Sequence, residues 1–457
     1  MTRISIIGGG VSGACAALHA LQSQALSVTL FERERRLFGR GPAYSTECAH
    51  HLLNVRAHNM SIWQDDHNDF VAWLERKQYG YGANDFVPRK IFGEYVSEAL
   101  ATAEIRYRDR FHVRHEEVID LEVGTAGVRT VLRSGKAEMS DLAVLALGNP
   151  RPNPLLVTYL DQKARDRIVQ DPWSPSSRNL MECRRILLVG SGLTAVDVVV
   201  DLVRLGYTGT ITMVSRHGLL PNAHAVPGHL TVAAPKIGGT SALSLLKAVR
   251  RFAEKSGEPW QYTIDCIRPH IQELWQGLPH AEQGRFLKRL RTFWDVHRHR
   301  FAPELGELLK NLRSDGKLRV VAAKIVGIAV DSNGAEVRVK RHSSDSKTFK
   351  ERFDMVVNCT GAHSPFGRPG FELLDKLIDR GVCRPDKHGL GIDTVGSGSV
   401  LGRDGGITEG LYALGPLRKG TLWESTAVRE IRAQAALLSK EFAEMASFAS
   451  PLAASGE

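Results

Sequence analysis

Apolar and polar residues follow two patterns along this chain: short β-branched runs that end in glycine, and longer amphipathic stretches. Short apolar runs bounded by glycine are typical of buried parallel strands. The first pattern predicts a strand over 3–8, a helix over 11–22 and a second strand over 27–32. Together they form a strand–turn–helix–strand unit of about thirty residues.

The same order of elements returns once, after Arg185. A strand over 186–189 leads into a glycine turn, a helix that ends near Leu205 and a strand over 210–215. We find no other internal repeat. The remaining pattern predicts helices near 67–78 and 89–103, paired strands over 111–135, a buried strand over 141–147, strands over 317–330, 335–341 and 354–358, and a last helix over about 426–445.

The stretch 241–310 is amphipathic throughout and predicts helix alone. Helical spacing would place one apolar stripe along it, made of Phe286, Leu290, Phe293, His297 and Phe301. Arg285 to Arg300 is basic with interleaved aromatic residues, which could indicate nucleic-acid binding. An amphipathic helix that covers a site explains this pattern more simply.

The first glycine turn reads Gly8-x-Gly10-x-x-Gly13. In a dinucleotide-binding turn the first glycine makes the turn, the second lets the backbone approach a pyrophosphate, and the third lets helix and strand pack closely. Glu32 follows nineteen residues after Gly13, where a carboxylate accepts hydrogen bonds from a ribose diol. We expect Gly8, Gly10, Ser12, Gly13 and Glu32 to bind FAD.

The second turn reads Gly190-x-Gly192-x-x-Ala195, and Ser215-Arg216 stands where an acidic residue would follow. A carboxylate would repel a 2′-phosphate, whereas Arg and Ser can bind one, so the pattern favours NADPH over NADH. Arg216 could also be a plain surface arginine. Two dinucleotide folds in one chain imply two dinucleotides, so we place NAD(P)H at this second site.

Three further strand ends carry glycine. Leu145 to Gly148 and Val356 to Gly361 resemble the exit from and the return to the main domain in flavoproteins of the glutathione reductase type, and Leu411 to Gly415 resembles their late strand. We therefore expect Gly148, Gly361 and Gly415 to contact cofactor. The glycine–aspartate pair of that family is replaced by Gly415-Pro416, which leaves the ribityl contacts open.

The predicted fold is an α/β protein with two Rossmann-like dinucleotide-binding domains, like a glutathione-reductase-type flavoprotein, and a helical excursion. The FAD-binding domain would consist of residues 1–150 and 356–457. Residues 151–355 would form the inserted NAD(P)H-binding domain, with the helical segment at about 241–310. Pro150, Pro152 and Pro154 mark the first boundary.

Composition narrows the function classes. The chain has 457 residues, long enough for two domains, and an ordinary apolar content of 43%. The net charge of +10 admits a nucleic-acid surface, but the basic residues are spread along the chain, so a generally basic surface is favoured. No apolar run approaches the length of a membrane span, and glycines interrupt the first thirty residues, so we expect no signal peptide and a cytoplasmic protein.

The six cysteines predict neither a disulfide framework nor a zinc site, because none lies in a C-x-x-C pair. A two-cysteine relay like that of disulfide reductases is disfavoured for the same reason. We therefore expect no metal.

Four longer motifs resemble a bacterial family of FAD/NAD(P)-binding proteins that is related to flavin N- and C-hydroxylases and includes FAD-dependent urate hydroxylases. The motifs are Gly39-Arg40-Gly41-Pro42-Ala43-Tyr44-Ser45, His51-Leu52-Leu53-Asn54-Val55, Trp294-Asp295-Val296-His297-Arg298-His299-Arg300 and Trp423-Glu424-x-x-Ala427-Val428. The resemblance implies FAD contacts at Arg40 and Asn54, although Arg40 could be a plain loop arginine. It also implies NAD(P)H- and O₂-dependent hydroxylation of a small molecule, with urate, converted to 5-hydroxyisourate, as the single named guess.

A flavin supplies the reactive chemistry itself, so no catalytic triad or carboxylate pair is required. Candidates for the substrate side are His224, His297, Arg300, Trp423 and Glu424. An anionic heterocycle would bind an arginine and planar partners. His297 is also explained as a packed histidine, and Trp423 as core. Two other functions stay open: a flavin reductase or dehydrogenase without oxygen activation, and an FAD-binding redox sensor.

Overall fold

A computed structural model describes residues 1–173, 180–225, 238–341, 348–361, 366–367 and 370–448. In chain order, the strands in these ranges are β1 (Thr2–Ile7), β2 (Leu26–Phe31), β3 (Phe111–Arg114), β4 (Val118–Gly124), β5 (Gly127–Leu132), β6 (Ala137–Ser140), β7 (Leu142–Leu145), β8 (Thr158–Tyr159), β9 (Ile168–Val169), β10 (Arg185–Val189), β11 (Thr210–Ser215), β12 (Leu318–Asp331), β13 (Gly334–Arg341), β14 (Thr348–Phe353), β15 (Met355–Asn358), β16 (Thr394–Val395), β17 (Ser399–Leu401) and β18 (Ile407–Ala413).

The α-helices of the same ranges are α1 (Val11–Ala20), α2 (Gly41–Tyr44), α3 (Asp69–Arg76), α4 (Arg89–Arg106), α5 (Leu193–Arg204), α6 (Ala242–Ser256), α7 (Trp260–Ile267), α8 (Ile271–Gly277), α9 (His280–Arg285), α10 (Arg291–Arg298), α11 (Pro303–Ser314), α12 (Glu372–Asp379) and α13 (Val428–Phe448). None of them is long and apolar enough to cross a membrane.

The strands form two large sheets. The first has the order β16–β17–β18–β7–β1–β2–β3, and β1 pairs in parallel with both β2 and β7. The second has the order β14–β13–β12–β11–β10–β15–β9, with β8 beside β12, and β10 pairs in parallel with both β11 and β15. A small antiparallel sheet, β4–β5–β6, lies in sequence between β3 and β7 of the first sheet. This is the expected α/β architecture with two dinucleotide-type sheets.

The second sheet is built from a stretch of chain that interrupts the first. Strands of the first sheet come from residues 2–145 and 394–413, whereas strands of the second come from 158–358. The boundary that we expected at residue 356 lies inside β15, which pairs with β10 and β9. The second sheet therefore extends to Asn358.

Small side chains let α1 lie close to the first sheet, together with α4 and α13. Its residues, Ala14, Ala16 and Ala17 among them, are all buried, and they share one core with Phe92 of α4 and Phe442 of α13. The second sheet has apolar side chains on both faces, as expected for a parallel sheet covered by helices.

The helical excursion differs from the expected single pattern. Phe286–Leu290 is a π-helix, and short breaks separate α6 from α7 and α8 from α9. A π-turn adds a residue to the helical repeat, so side chains before and after it no longer share a face. The predicted apolar stripe is therefore wrong, because Phe293 is 47% exposed while Phe301 is buried.

Candidate functional site

The first glycine turn brings three backbone segments into contact. Gly8 has φ +105°, and a Cβ on it would lie 2.5 Å from the carbonyl oxygen of Ala146, just after β7. A Cβ on Gly13 would lie 1.8 Å from the carbonyl oxygen of Gly8. A side chain at Gly8 would push apart the ends of β1 and β7, and one at Gly13 would push α1 away from the end of β1. Both glycines are therefore required by the geometry.

The N-terminus of α1 is open to an anion. Gly10 is its N-cap and provides no capping side chain, and the first turn has no acidic residue. The buried carboxylate of Glu32 accepts hydrogen bonds from the N–H of Gly9 at 2.9 Å and of Glu34 at 3.0 Å. Each oxygen keeps a second lone pair, so the carboxylate can still accept from a ribose hydroxyl.

A glycine-rich segment lies over this turn. The N–H of Gly39 donates to the carbonyl oxygen of Gly9 at 2.7 Å, and a Cβ on Gly10 would lie 3.4 Å from the Cα of Gly41. Arg40 lies between these contacts, and its Nε donates to Ser97 Oγ at 3.1 Å. The predicted FAD contact Arg40 is therefore next to the pyrophosphate-type turn.

The late strand ends at the same place. Gly415 follows β18 with φ +74°, and a Cβ on it would lie 2.7 Å from Ser12 Oγ at the start of α1. Its N–H donates to Gln434 Oε1 of α13 at 3.1 Å. Gly415 and Ser12, both predicted from sequence, thus meet. Gln434 was missed, since nothing in its local sequence distinguishes it from a surface residue of an amphipathic helix.

The second turn repeats the construction of the first. Gly190 has φ +116°, and a Cβ on it would lie 2.3 Å from the carbonyl oxygen of Cys359, just after β15. Gly192 is the N-cap of α5 without a capping side chain, and Ala195 is fully buried against the sheet. The two turns therefore carry the same backbone packing and the same open helix N-terminus.

The chain leaves the first sheet near Gly148 and returns from the second sheet near Gly361. These two crossing glycines have matching backbone conformations beside the glycine turns. Gly148 follows Ala146 by two residues with φ +72°, and Gly361 follows Cys359 by two residues with φ +75°. Among the residues that the structure describes, no atom lies within 4 Å of a Cβ added at either glycine. Each crossing glycine therefore adjoins its dinucleotide-type turn and leaves open space.

The residues expected at a 2′-phosphate have different surroundings. Ser215 Oγ lies 2.8 Å from Ser191 Oγ and accepts from the N–H of Gly218 at 3.0 Å, so it organises the loop after β11. Arg216 is exposed, and no residue in the described ranges pairs with its guanidinium. Arg216 is thus the group left available for a phosphate.

Arg300 is held inside the protein. Its guanidinium is buried, forms an ion pair with Asp265 and donates to the carbonyl oxygen of Gln261 at 3.3 Å. Burial lowers the pKa of Arg300. The expectation that Arg300 binds an anionic substrate does not fit these contacts, because its charge is already compensated by Asp265.

His224 links the two halves of the chain. A ring nitrogen, Nε2, bonds the carbonyl oxygen of Asn54 at 2.9 Å, and the ring lies 5.0 Å from that of Phe86. Burial, followed by the charge of Arg300, lowers the pKa of His224 to about 4. His224 is therefore neutral near pH 7, with its Nε2–H donated to Asn54.

His297 has the packing role that the sequence left open. Its Nδ1 lies 2.7 Å from the carbonyl oxygen of Phe293, one helical turn earlier, and its ring contacts the edge of Trp260 at 4.7 Å. The Nδ1–H is donated to that carbonyl. His297 is thus oriented by its own helix and by Trp260, and it does not contact either glycine turn.

Trp423 and Glu424 lie where the helical excursion meets the segment after β18. Trp423 is buried, with its ring 5.2 Å from Trp275 and 5.3 Å from Phe286. Glu424 is also buried and accepts from Arg298 Nη2 at 3.1 Å. Its charge is compensated by Arg298, so Glu424 is not a free acid or base.

Two cations cover the ring of Trp423. Lys419 Nζ lies 5.3 Å and the Arg291 guanidinium 5.7 Å from its centroid. Arg291 pairs with Asp295 at 3.4 Å, whereas no acceptor in the described ranges bonds Lys419 Nζ. Burial, followed by the charge of Arg291, lowers the pKa of Lys419. This lysine was missed by sequence reasoning because no local pattern marks it.

A second missed group lies where the segment between α2 and α3 meets α5. Cys48, His51 and Asp201 each direct one ligand-type atom to a common point, and these atoms lie within 4.8 Å of one another. All six cysteines are free. The sequence did carry a signal, the Cys-x-x-His spacing over 48–51, but the third member comes from α5.

Comparisons with known proteins agree with this geometry. A family model described as FAD-NAD(P)-binding matches residues 5–150. The uncharacterised protein YdhS of Escherichia coli (strain K12) is 25% identical over 259 residues, which cover 49% of this chain and 47% of that protein. The match thus spans about half the length of that relative.

Solved structures match over nearly the whole chain. The ornithine N-hydroxylase of Kutzneria sp. 744, solved with reduced FAD, NADP⁺ and L-ornithine, has a TM-score of 0.67 at 14% identity, covering 97% of this chain and 99% of that one. The ornithine hydroxylase of Pseudomonas aeruginosa has a TM-score of 0.65 at 14% identity, with the same coverage. The FAD-bound cadaverine monooxygenase of Erwinia amylovora has a TM-score of 0.66 at 15% identity, covering 96% of this chain and 93% of that one.

Residues 5–150 are therefore similar to an FAD/NAD(P)-binding domain. The chain as a whole has the two-dinucleotide-domain fold of flavin-dependent monooxygenases.

Proposed function

We propose that this protein is an FAD-dependent monooxygenase that uses NAD(P)H and O₂ to hydroxylate a small molecule. One observation carries the proposal: Gly8 and Gly190 pack in the same way against the strand-end carbonyls of Ala146 and Cys359. The chain thus has two equivalent pyrophosphate-type turns, one in each sheet. A fold match to monooxygenases over 97% of the chain adds support.

The residues of the first turn fit FAD. Gly8, Gly10 and Gly13 keep side chains away from a pyrophosphate, and the uncapped start of α1 offers free N–H groups. Glu32 would hold the ribose, and Arg40 a phosphate or ribose oxygen. When bound there, FAD would supply the redox and oxygen-activating chemistry of the reaction.

The second turn fits a nicotinamide dinucleotide in the same way. Gly190 and Gly192 leave the N-terminus of α5 open, and Ala195 keeps helix and sheet close. Arg216 would bind a 2′-phosphate, which favours NADPH. Gly148 and Gly361, beside the two turns, leave open space where the two cofactors would approach each other.

The helical excursion would exclude water from the reaction. It packs its aromatic residues on the segment that follows Gly415, and Trp275, Phe286 and Trp423 form one apolar cluster there. Excluding water would protect the oxygen chemistry that a bound flavin supplies from unproductive side reactions. The protein's part in the reaction is thus binding, orientation and shielding, without a dedicated acid or base.

The charge near Trp423 bears on the substrate. Lys419 and Arg291 lie over its ring, and Lys419 has no acceptor in the described ranges. A positive field attracts an anion and repels an alkylammonium. This supports a planar anionic substrate, with urate as the named candidate, over the amines that the solved hydroxylases act on.

The test is a comparison of flavin reduction with oxygen uptake. Purified protein is mixed with NADPH or NADH under anaerobic conditions, and the loss of flavin absorbance is followed. Oxygen uptake is then measured with urate, other purines, ornithine, lysine and cadaverine. A monooxygenase consumes NAD(P)H and O₂ in about equal amounts with hydroxylated product, and the correct substrate accelerates both.

Each alternative gives its own result. A reductase or dehydrogenase bleaches anaerobically and reduces an artificial acceptor, yet no compound stimulates oxygen uptake. A redox sensor keeps a bound flavin that NAD(P)H does not bleach. Stimulation by an amine, with none by urate, would retain the monooxygenase and remove the anionic substrate.

A further inference from the structure

The group formed by Cys48, His51 and Asp201 joins the two halves of the chain. Cys48 and His51 belong to the segment between α2 and α3, whereas Asp201 lies on α5, the helix that follows the second glycine turn. His51 Nε2 lies 3.1 Å from Asp201 Oδ1, and the Cys48 thiol bonds the same carboxylate. One thiol, one imidazole and one carboxylate thus converge from two parts of the fold.

The distances suit a tetrahedral zinc ion. With Zn–S of about 2.3 Å and Zn–N or Zn–O of about 2.0 Å, ligand atoms of one site lie roughly 3.3–3.7 Å apart. The imidazole–carboxylate separation of 3.1 Å is already close to this. All three atoms lie within 4.8 Å of one another, so small rotations of Cys48 and Asp201 would complete the set.

A partner outside the group orients the imidazole. His51 Nδ1 lies 2.7 Å from Thr46 Oγ1, which also accepts from the N–H of Cys48 at 3.2 Å. Zinc-bound histidines usually bond a neighbouring group through the second ring nitrogen. Thr46 therefore holds both the ring and the start of the Cys-x-x-His turn.

Burial is uneven around the group. His51 is 2% exposed and lies against Trp173, whereas the Asp201 side chain is 36% exposed. An ion could enter from the Asp201 side, where water would fill the fourth position. The charges also balance, because a thiolate and a carboxylate neutralise Zn²⁺.

We propose that Cys48, His51 and Asp201 bind one zinc ion that joins α5 to the segment before α3. Binding releases the thiol proton of Cys48 to solvent, and the ring proton of His51 moves from Nε2 to Nδ1, which then donates to Thr46 Oγ1 while Nε2 binds the ion. Without metal, that Nε2–H is shared between Asp201 and the carbonyl oxygen of Asp197, 3.3 Å away. The ion would fix the position of the second glycine turn relative to the first.

Metal content tests the proposal on the full-length flavoprotein. The protein is dialysed against metal-free buffer, incubated with ZnCl₂ and washed, and zinc per chain is measured by mass spectrometry. We expect about one zinc per chain, a melting temperature raised by zinc, and a zinc–sulfur distance of about 2.3 Å by X-ray absorption. Cys48→Ser and Asp201→Asn should each lose most of the zinc, whereas Cys266→Ser on α7 should keep it.

Two outcomes would overturn the zinc site. Wild type that retains no zinc and shows no zinc-dependent shift in melting temperature contains only a hydrogen-bonded His51–Asp201 pair. Equal zinc in wild type and Cys48→Ser places the ion elsewhere. Flavin content and anaerobic bleaching are recorded on the same samples, so folding of the variants and failure of the monooxygenase proposal are seen separately.

Discussion

The Arg89 guanidinium donates two hydrogen bonds to the Asp197 carboxylate, at 2.7 and 3.2 Å. Arg89 is the first residue of α4, beside the first sheet, and Asp197 lies on α5 of the second. Their side chains are only 16% and 5% exposed. Asp197 and Asp201 are one turn apart on α5, so this helix contacts the first half of the chain at two successive positions.

Removing one partner of this pair should cost much stability. Arg89→Ala leaves the Asp197 carboxylate buried without its cation, which typically costs about 3–5 kcal/mol. We expect that loss in the free energy of unfolding, measured by urea denaturation. Arg89→Lys keeps the charge but not the paired hydrogen bonds. Its free energy of unfolding should therefore lie between those of wild type and Arg89→Ala. Equal urea midpoints for wild type and Arg89→Ala would show that the pair adds no net stability.

Substitutions in the two glycine turns should affect the binding of the two cofactors separately. A Cβ at Gly8 or Gly190 would overlap a carbonyl oxygen, at 2.5 and 2.3 Å, and both glycines have positive φ. Gly8→Ala should abolish FAD binding, measured by flavin absorbance of the purified protein. Gly190→Ala should keep FAD but no longer bleach with NAD(P)H.

A control for these variants is Gly124→Ala, at the end of β4, where a Cβ meets no atom within 4 Å. It should bind FAD and bleach like wild type. Loss of FAD in Gly190→Ala as well would contradict the assignment of one cofactor to each turn.

Arg216 should set the nicotinamide preference. Its guanidinium is exposed, and a charge-assisted bond to a 2′-phosphate is worth about 1.5–3 kcal/mol, roughly a tenfold to hundredfold preference. Arg216→Ser should therefore weaken the binding of NADPH without changing that of NADH. Each affinity is measured as the nucleotide concentration that gives half-maximal flavin reduction. An unchanged NADPH-to-NADH ratio would show that Arg216 is a plain surface arginine.

His224 should make stability depend on pH. Its pKa is about 4 in the folded protein and about 6.5 when unfolded, so folding favours the neutral ring. This stabilisation is complete above pH 6.5 and is lost as pH falls toward 4, by roughly 3 kcal/mol. Unfolding free energies measured across this window should show the slope. His224→Gln keeps an N–H donor for Asn54 but does not titrate, so its slope should be shallower; an identical slope would assign the effect to other groups.

Lys419 should contribute to the binding of an anionic substrate. Its ammonium lies over Trp423 and has no acceptor in the described ranges. Lys419→Met keeps the length of the side chain and removes the charge. We expect the urate concentration for half-maximal oxygen uptake to rise about tenfold, the effect of losing roughly 1.4 kcal/mol. An unchanged value would place the substrate away from Trp423.

The dinucleotide-type turns could be predicted from sequence because their geometry is local. Gly8, Gly13 and Gly190 are glycines for reasons of backbone conformation and close contact, and both show in a stretch of about thirty residues. The strand β11 was predicted with its observed bounds, Thr210–Ser215. By contrast, β14, β16, β17 and α12 were not predicted, since short elements depend on the surfaces they pack against.

The substrate-side residues could not be judged in the same way, because their partners are distant in sequence. Arg300 pairs with Asp265, 35 residues away, and Glu424 with Arg298, 126 residues away. An arginine and its distant carboxylate look like two free charges until the fold brings them together. For the same reason, Asp201 could not be grouped with Cys48 and His51 from the sequence, although the Cys-x-x-His spacing was visible.

The neighbouring, tilted indoles of Trp275 and Trp423 have an optical consequence. Their ring centroids are 5.2 Å apart with planes inclined by 33°, and one belongs to α8 of the excursion while the other follows β18. Chromophores this close couple their electronic transitions, which gives near-ultraviolet circular dichroism a signature that neither ring has alone. If the helical excursion moved away from the segment after β18, that signature would be lost. Near-ultraviolet circular dichroism therefore reports whether the two are packed together.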